Sequence, residues 1–182
     1  MNKPQPPPTE KRDTESAYPT AFAAAVSRVL ADEGGLVDDS ADTGKVTKYG
    51  ISQRQYPELD IARLSRDQAV EIYYRDWWQR FDYGTLPAAI GIKLMNLAVN
   101  MGPAAAARCL QGALRACGKA INDDGVLGAA TRAAVKSVEP TAILAALRAE
   151  AAGRYRVIAA LRDGNEAERD RFLKGWLRRA YE

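Results

Sequence analysis

The run from Pro87 to Met101, PAAIGIKLMNLAVNM, is apolar nearly all round, with only Lys93, Asn96 and Asn100 polar. A helix without a polar face must be surrounded by protein. It is therefore expected at the centre of the body, with the other segments arranged to cover it. A membrane-crossing helix needs about 20 apolar residues in a row. No run here is that long, and 47% hydrophobic with 27% charged residues is the composition of a soluble globular protein. Gly102-Pro103 closes the central helix and opens the next, with glycine just past the end and proline in the first turn. Asn96 and Asn100 are four apart and share a face, where they either cross-brace neighbouring helices or contact a substrate.

The covering segments read as helices. From Thr20 to Asp32, Phe22, Val26, Val29 and Leu30 recur as an amphipathic stripe. Ser65 three residues before Gln68 is a capping-box pattern, and it starts a helix that carries Ala69, Ile72, Tyr73 and Trp77 on its apolar side. Trp77, Trp78, Phe81 and Tyr83 crowd the end of that helix. The phase assigns Trp77 to the core and leaves Trp78 as either core or a sugar-stacking wall. Beyond Pro103 an alanine-rich helix runs from Ala104 to Cys117 with Leu110 and Leu114 on one side. Asp124-Gly125 and Gly128 form a tight turn, and a short helix begins near Ala129. A long helix runs from Pro140 to about Leu161, broken by Gly164-Asn165. The last, Glu166 to Tyr181, is expected to bury Phe172, Leu173, Trp176 and Leu177.

What chemistry this scaffold can carry is limited by what the chain lacks. It contains no histidine, which removes Ser/His and Cys/His nucleophile systems. Cys109 and Cys117 are eight apart on one helix, so their Cα atoms lie roughly 12 Å apart, beyond disulfide reach. No paired cysteine spacing suggests zinc. Carboxylates must therefore do any acid/base work. Glu33 follows the first helix in phase with Val29 and Leu30, which aims it along the buried stripe. Partial desolvation there would keep its carboxyl protonated closer to neutral pH. Gly34 and Gly35 then turn the chain into a loop with Asp38, Asp39 and Asp42, after which Val46, Thr47, Tyr49 and Ile51 alternate as a short strand would. The acidic spacing lacks the rhythm and closing glutamate of a calcium loop, so neither a metal nor a cofactor is expected. The net charge of +3 does not mark a nucleic-acid partner. The proline-rich segment 1–18 reads as a disordered tail without an apolar signal-peptide core.

The segment DEGGLVDDSADTGKVTKYGIS, from Asp32 to Ser52, resembles the signature of glycoside hydrolase family 108, the peptidoglycan muramidases of phage endolysins and bacterial cell-wall enzymes. LSRDQAVEIYYRDWW resembles the family's second helix and LMNLAVNMGP its central helix, while LQGALRACGKAINDDGVLGAATRAAV resembles the C-terminal region described as peptidoglycan-binding. The sequence departs from the family at Leu36, where an aromatic is usual, and at Thr43 and Lys45, where the loop's proline and second glycine would stand.

The resemblance implies a mainly α, lysozyme-like helical domain over 19–182 with a small β-ribbon after the first helix. It divides into a catalytic lobe, 19–102, and a peptidoglycan-binding-like lobe, 103–182. It implies a hydrolase that cuts the β-1,4 bond between N-acetylmuramic acid and N-acetylglucosamine, bacteriolytic in the manner of an endolysin. Glu33 falls on the catalytic glutamate, and Asp42 and Thr47 on the loop aspartate and threonine. Tyr49, Trp78, Asn96 and Asn100 are the candidate substrate contacts. Glycosidic cleavage needs an acid at the leaving oxygen and a carboxylate on the opposite face of the sugar; a separation of roughly 6.5 to 9.5 Å gives inversion, the direction favoured here, and about 5 to 5.5 Å gives retention. The expected partner is the peptidoglycan glycan strand and the expected state a monomer. The enzyme is expected in the periplasm or wall after holin-type release or delivery by a secretion machine. Two other readings of the same residues are a non-catalytic peptidoglycan-binding scaffold and a lytic transglycosylase.

Overall fold

A computed structural model of the protein describes residues 18–32, 37–38, 46–162 and 165–182. The order is helix α1 (Thr20–Asp32), strands β1 (Val37–Asp38), β2 (Val46–Lys48) and β3 (Ile51–Ser52), then helices α2 (Arg66–Tyr73), α3 (Ala88–Met101), α4 (Pro103–Ala116), α5 (Ala129–Lys136), α6 (Pro140–Leu161) and α7 (Glu166–Tyr181). The fold is mainly α, lysozyme-like, with a small sheet after the first helix, as the sequence implies. Tyr18, assigned by the sequence to the tail, belongs to the body instead. Its ring packs on Phe22 and Tyr74, and its hydroxyl donates to Glu71 Oε2 at 2.8 Å. The rest of the tail, 1–17, lies outside the described residues.

The central helix is where its composition demands. Along α3, Ile90, Leu94, Met95, Leu97 and Ala98 are buried, and α1, α4, α6 and α7 all pack on it. The buried residues, from Phe22 and Val29 of α1 to Ile143 and Tyr155 of α6, form one continuous cluster. Gly102 ends α3 with φ at 88°, a conformation that favours glycine, and Pro103 starts α4. Lys93 is also buried, and its ammonium donates to the Arg179 carbonyl near the end of α7. Arg28 and Arg148 donate to the Glu182 carbonyl at 3.0 and 3.1 Å. Three cations thus meet the negative end of the α7 dipole and hold that helix by its C-terminus. Elsewhere α7 is less buried than its pattern implies. Phe172, Leu173, Trp176 and Leu177 are only half-buried and Ala180 alone is fully covered, because α7 lies on the outside of α6. Trp176 stacks on Tyr155 at 5.6 Å, and the Arg162 guanidinium covers the Phe172 ring at 4.4 Å.

Two local corrections bear on function. The expected strand through Val46, Thr47, Tyr49 and Ile51 is a hairpin: Lys48 pairs with Ile51, and Tyr49 and Gly50 form the turn with φ at 56° and 76°. Positive φ at both central residues is the type I′ combination, whose twist matches that of the flanking strands. The second correction is in α2. Its capping box is present as read, with Ser65 Oγ accepting from Gln68 N–H and Gln68 Oε1 from Ser65 N–H. Past Tyr73, however, the chain continues as a π-helical turn, Tyr74–Gln79, marked by the Arg80 N–H to Arg75 carbonyl bond at 3.3 Å. The added residue moves the buried stripe on by one position.

Candidate active site

Glu33 and Asp42, with Gly34, Gly35, Leu36, Asp39, Thr43 and Lys45, lie outside the described residues. The backbone on either side of Glu33 is described: α1 ends at Asp32, and β1 begins at Val37 as an edge of the antiparallel sheet β1-β2-β3. Thr47 sits on the middle strand, opposite Val37 on one side and Ser52 on the other, and is half-buried. Tyr49 is at the hairpin tip, half-buried, with the Lys48 ammonium 5.6 Å from its ring centre. The hairpin is tied down at its turn. Tyr73 donates to the Tyr49 carbonyl at 2.8 Å, and Lys48 to the Ala62 carbonyl at 3.0 Å.

The other candidate contacts divide. Trp78 is only 4% exposed, with its ring edge-on to Phe22 and Tyr83. It cannot offer a face to a sugar, and the extra residue of the π-turn is the physical reason. Trp77, which the phase assigned to the core, is half-buried instead and lines a surface hollow. Asn96 is 1% exposed on the covered face of α3, the environment of the bracing amide and not of an open contact. Asn100, one turn later, is exposed.

The hollow beside Trp77 has a volume of about 430 Å³ and is lined by Gln55, Tyr56, Asp76, Trp77, Arg80, Phe81 and Pro103. Its aromatic wall is made by Trp77 and Phe81, one helical turn apart with ring centres 6.4 Å apart. Its polar side is a fixed chain of hydrogen bonds: Tyr56 donates to Asp76 Oδ2 at 2.9 Å, and Arg75 holds both Asp76 oxygens at 2.6 and 2.8 Å. The Arg75 guanidinium, with the Tyr56 hydroxyl, holds the Asp76 carboxyl below its ordinary range. Burial, then the bond to Asp76, pushes the Tyr56 phenol up to about 12. At neutral pH the pair is a phenol donor and a carboxylate. The loop carrying Tyr56 is shaped by Gln53, whose amide gathers the carbonyls of Tyr56, Pro57 and Leu59 at 3.1, 3.0 and 2.7 Å.

A second hollow, of about 370 Å³, shares Arg80, Phe81 and Pro103 with the first and continues past Tyr83 to Val126 and Leu127. Arg132 of α5 anchors its floor. The guanidinium donates to the carbonyls of Phe81 at 2.9 Å, Asp82 at 3.0 Å and Leu127 at 3.2 Å, and to the Thr85 hydroxyl. The aromatic wall is therefore positioned by a side chain about fifty residues further along the chain. Phe81 belongs to the aromatic cluster visible in the sequence, whereas Tyr56, Asp76, Arg80 and Arg132 carry no local sequence signal for this site. The partners are brought together only by the tertiary fold.

Two family profiles match this architecture. Residues 26–102, from within α1 to the end of α3, match Glycosyl hydrolase 108. Residues 105–181, α4 to α7, match the Predicted Peptidoglycan domain. The chain thus joins a glycosyl hydrolase 108 segment to a peptidoglycan-domain segment. A solved structure, that of Brucella abortus SagA, is similar at 25% sequence identity over 90% of this chain and 97% of that one, with a TM-score of 0.64. Among curated proteins none matches the sequence. A glycosyl hydrolase joined to a peptidoglycan domain is a glycosidase that acts on peptidoglycan, and peptidoglycan is its partner. The aromatic hollow lies mostly on the glycosyl hydrolase segment, at the base of the hairpin. Pro103 closes it where the two segments meet.

Proposed function

We propose that the protein is an N-acetylmuramidase, cleaving the β-1,4 bond between N-acetylmuramic acid and N-acetylglucosamine by hydrolysis, in the manner of an endolysin. The observation that carries this reading is the Glycosyl hydrolase 108 match over 26–102, which spans Glu33, Asp42, Thr47 and the hairpin. The neighbouring hollow supports it with the surface a sugar requires: rings at Trp77 and Phe81 for the apolar side of a pyranose, and polar groups at Tyr56, Asp76 and Arg80, the first two fixed by their hydrogen bonds, for hydroxyl and acetamido groups. In this mechanism Glu33 protonates the leaving oxygen, Asp42 orients water or stabilises the oxocarbenium ion, and Thr47 holds that water by a hydrogen bond.

Purified sacculi provide the test. Wild-type protein should release reducing ends, and Glu33→Gln should abolish the release while retaining the helical circular-dichroism spectrum. If Glu33→Gln keeps most of the activity, the acid is another residue. Mass spectrometry of the products tests the reaction itself, because anhydro-muropeptides in place of reducing ends would replace hydrolysis with transglycosylation.

A further inference from the structure

Peptidoglycan has two chemical faces, a nearly neutral glycan and short peptides that carry free carboxylates and methyl groups. The aromatic hollow suits the first. A third hollow, of about 460 Å³, lies between α4 and α6 within the segment matching the Predicted Peptidoglycan domain, and no ring lines it. Its charged wall is Arg108 and Arg115 from α4 and Arg154 from α6, facing the carboxylates of Asp123 and Glu150.

Those charges are unequally engaged. Asp123 lies 3.7 Å from the Arg108 guanidinium and 3.3 Å from that of Arg115, between two half-exposed side chains. Glu150 stands one turn before Arg154 on α6, yet among the described residues the two form no ion pair. Its carboxyl lies instead on the bare backbone of α4 at Gly112: a Cβ there would come within 2.7 Å of it. Arg154 is therefore left exposed at the rim, with no carboxylate among the described residues at salt-bridge distance. Beside it α6 presents Gly153, where a Cβ would meet nothing within 4 Å, and Val157, which is 58% exposed. A cation beside a small-residue floor and an exposed aliphatic wall is complementary to a carboxylate that carries methyl groups.

We propose that this hollow binds the D-alanyl end of a peptidoglycan stem peptide. Arg154 takes the terminal carboxylate as a charge-assisted, two-pronged hydrogen bond, and the alanyl methyls lie over Gly153 against Val157. Arg108 and Arg115 help to set the local positive potential, and Asp123 and Glu150 are acceptors for an amine further along the peptide. The assignment rests on peptidoglycan as the partner and adds to it which part of the polymer this side of the molecule reads.

The test uses the full chain and a sugar-free stem pentapeptide ending in D-Ala, which no glycosidase can cut, followed by two-dimensional ¹⁵N NMR. Expected are saturable shifts of the Gly153, Arg154, Val157 and Gly112 amides. Affinity should fall about tenfold or more for the same peptide with its terminal carboxylate made a carboxamide, and by a similar factor for Arg154→Gln, with partial recovery in Arg154→Lys. Equal binding of the carboxamide by the wild-type protein, or shifts confined to residues around Trp77, would overturn the proposal without reliance on any variant. Because peptide binding and reducing-end release are read separately, peptide binding without cleavage would remove the muramidase assignment alone. Cleavage without peptide binding would remove this one alone.

Discussion

The aromatic hollow and the arginine hollow are built from different kinds of backbone. The first is walled by the chain leaving the hairpin, the end of the π-turn and Pro103, and it is held by long-range ties such as Tyr56 to Asp76 and Arg132 to Phe81. The second is walled mainly by the two α-helices α4 and α6 and needs only long side chains, a glycine under Glu150 and an open one at Gly153. A flat, neutral pyranose is recognised by ring faces at set angles, and regular helix phase does not place Trp77 and Phe81 at the surface while burying Trp78; the π-turn does. A carboxylate is recognised by charge at the end of a flexible arm, for which a regular helix serves. The difference also predicts where substitutions hurt most.

Loss of the proposed general acid in Glu33→Gln should lower reducing-end release from sacculi by about a hundredfold or more. Binding of the sugar-free peptide should not change. If both fell together with no change in the circular-dichroism spectrum, the two surfaces would not be independent.

Next in size is a packing test of the first region. A Cβ at Gly91 would lie 2.5 Å from the Tyr83 carbonyl oxygen, which is backbone and cannot swing away. Gly91→Ala should therefore cost about 1 to 3 kcal/mol in urea unfolding and shift the Tyr83–Thr85 turn that supports Phe81. The second region answers with a pH test. Burial pushes the Cys109 thiol up to about 11 from 9.0. Between those values the unfolded chain has released a proton that the folded chain retains, so stability is fully present below about pH 9 and falls as pH rises through 11, by about 3 kcal/mol at most. Cys109→Ala should remove that part of the alkaline loss in denaturant titrations at several pH values.

Trp77→Ala and Trp78→Ala should have opposite consequences. Trp77 is half-buried on the hollow, so its loss should weaken binding of a soluble glycan oligomer roughly tenfold with little change in stability. Trp78→Ala should instead cost about 3 to 5 kcal/mol of stability, as expected for a buried tryptophan. The sequence phase puts Trp77 in the core and leaves Trp78 open, and the reason it misplaces Trp77 is specific. Ala69, Ile72 and Tyr73 predict Trp77 only if the helix keeps 3.6 residues per turn, and the bond from Arg80 N–H to the Arg75 carbonyl shows that it does not. Features written in a few neighbouring residues were legible: the Ser65–Gln68 box, the Gly102-Pro103 junction, the all-apolar α3 and the Pro140 start of α6. Features made by distant partners were not. Tyr56 and Asp76 are twenty residues apart, and the sheet's pairing of Val37 with Thr47 crosses the acidic loop. Tyr49 in a positive-φ turn opposes the usual preference of a bulky side chain, so propensity reads it as strand.

The smallest effect separates fold from function within a single residue. Gly153 lies in the interior of α6, exposed, with nothing within 4 Å of a would-be Cβ. If the helix were its only role, Gly153→Ala would stabilise the protein by about 0.5 to 1 kcal/mol, from the lower backbone entropy of the unfolded chain, and change nothing else. If its role is the floor on which an alanyl methyl rests, the same substitution raises the melting temperature and weakens the stem peptide, while reducing-end release from a peptide-free glycan is unaffected. Thermal unfolding and the NMR titration, run on one preparation, distinguish the two. A more stable protein with unaltered peptide affinity would make Gly153 an incidental glycine and leave Arg154 and Val157 to hold the peptide.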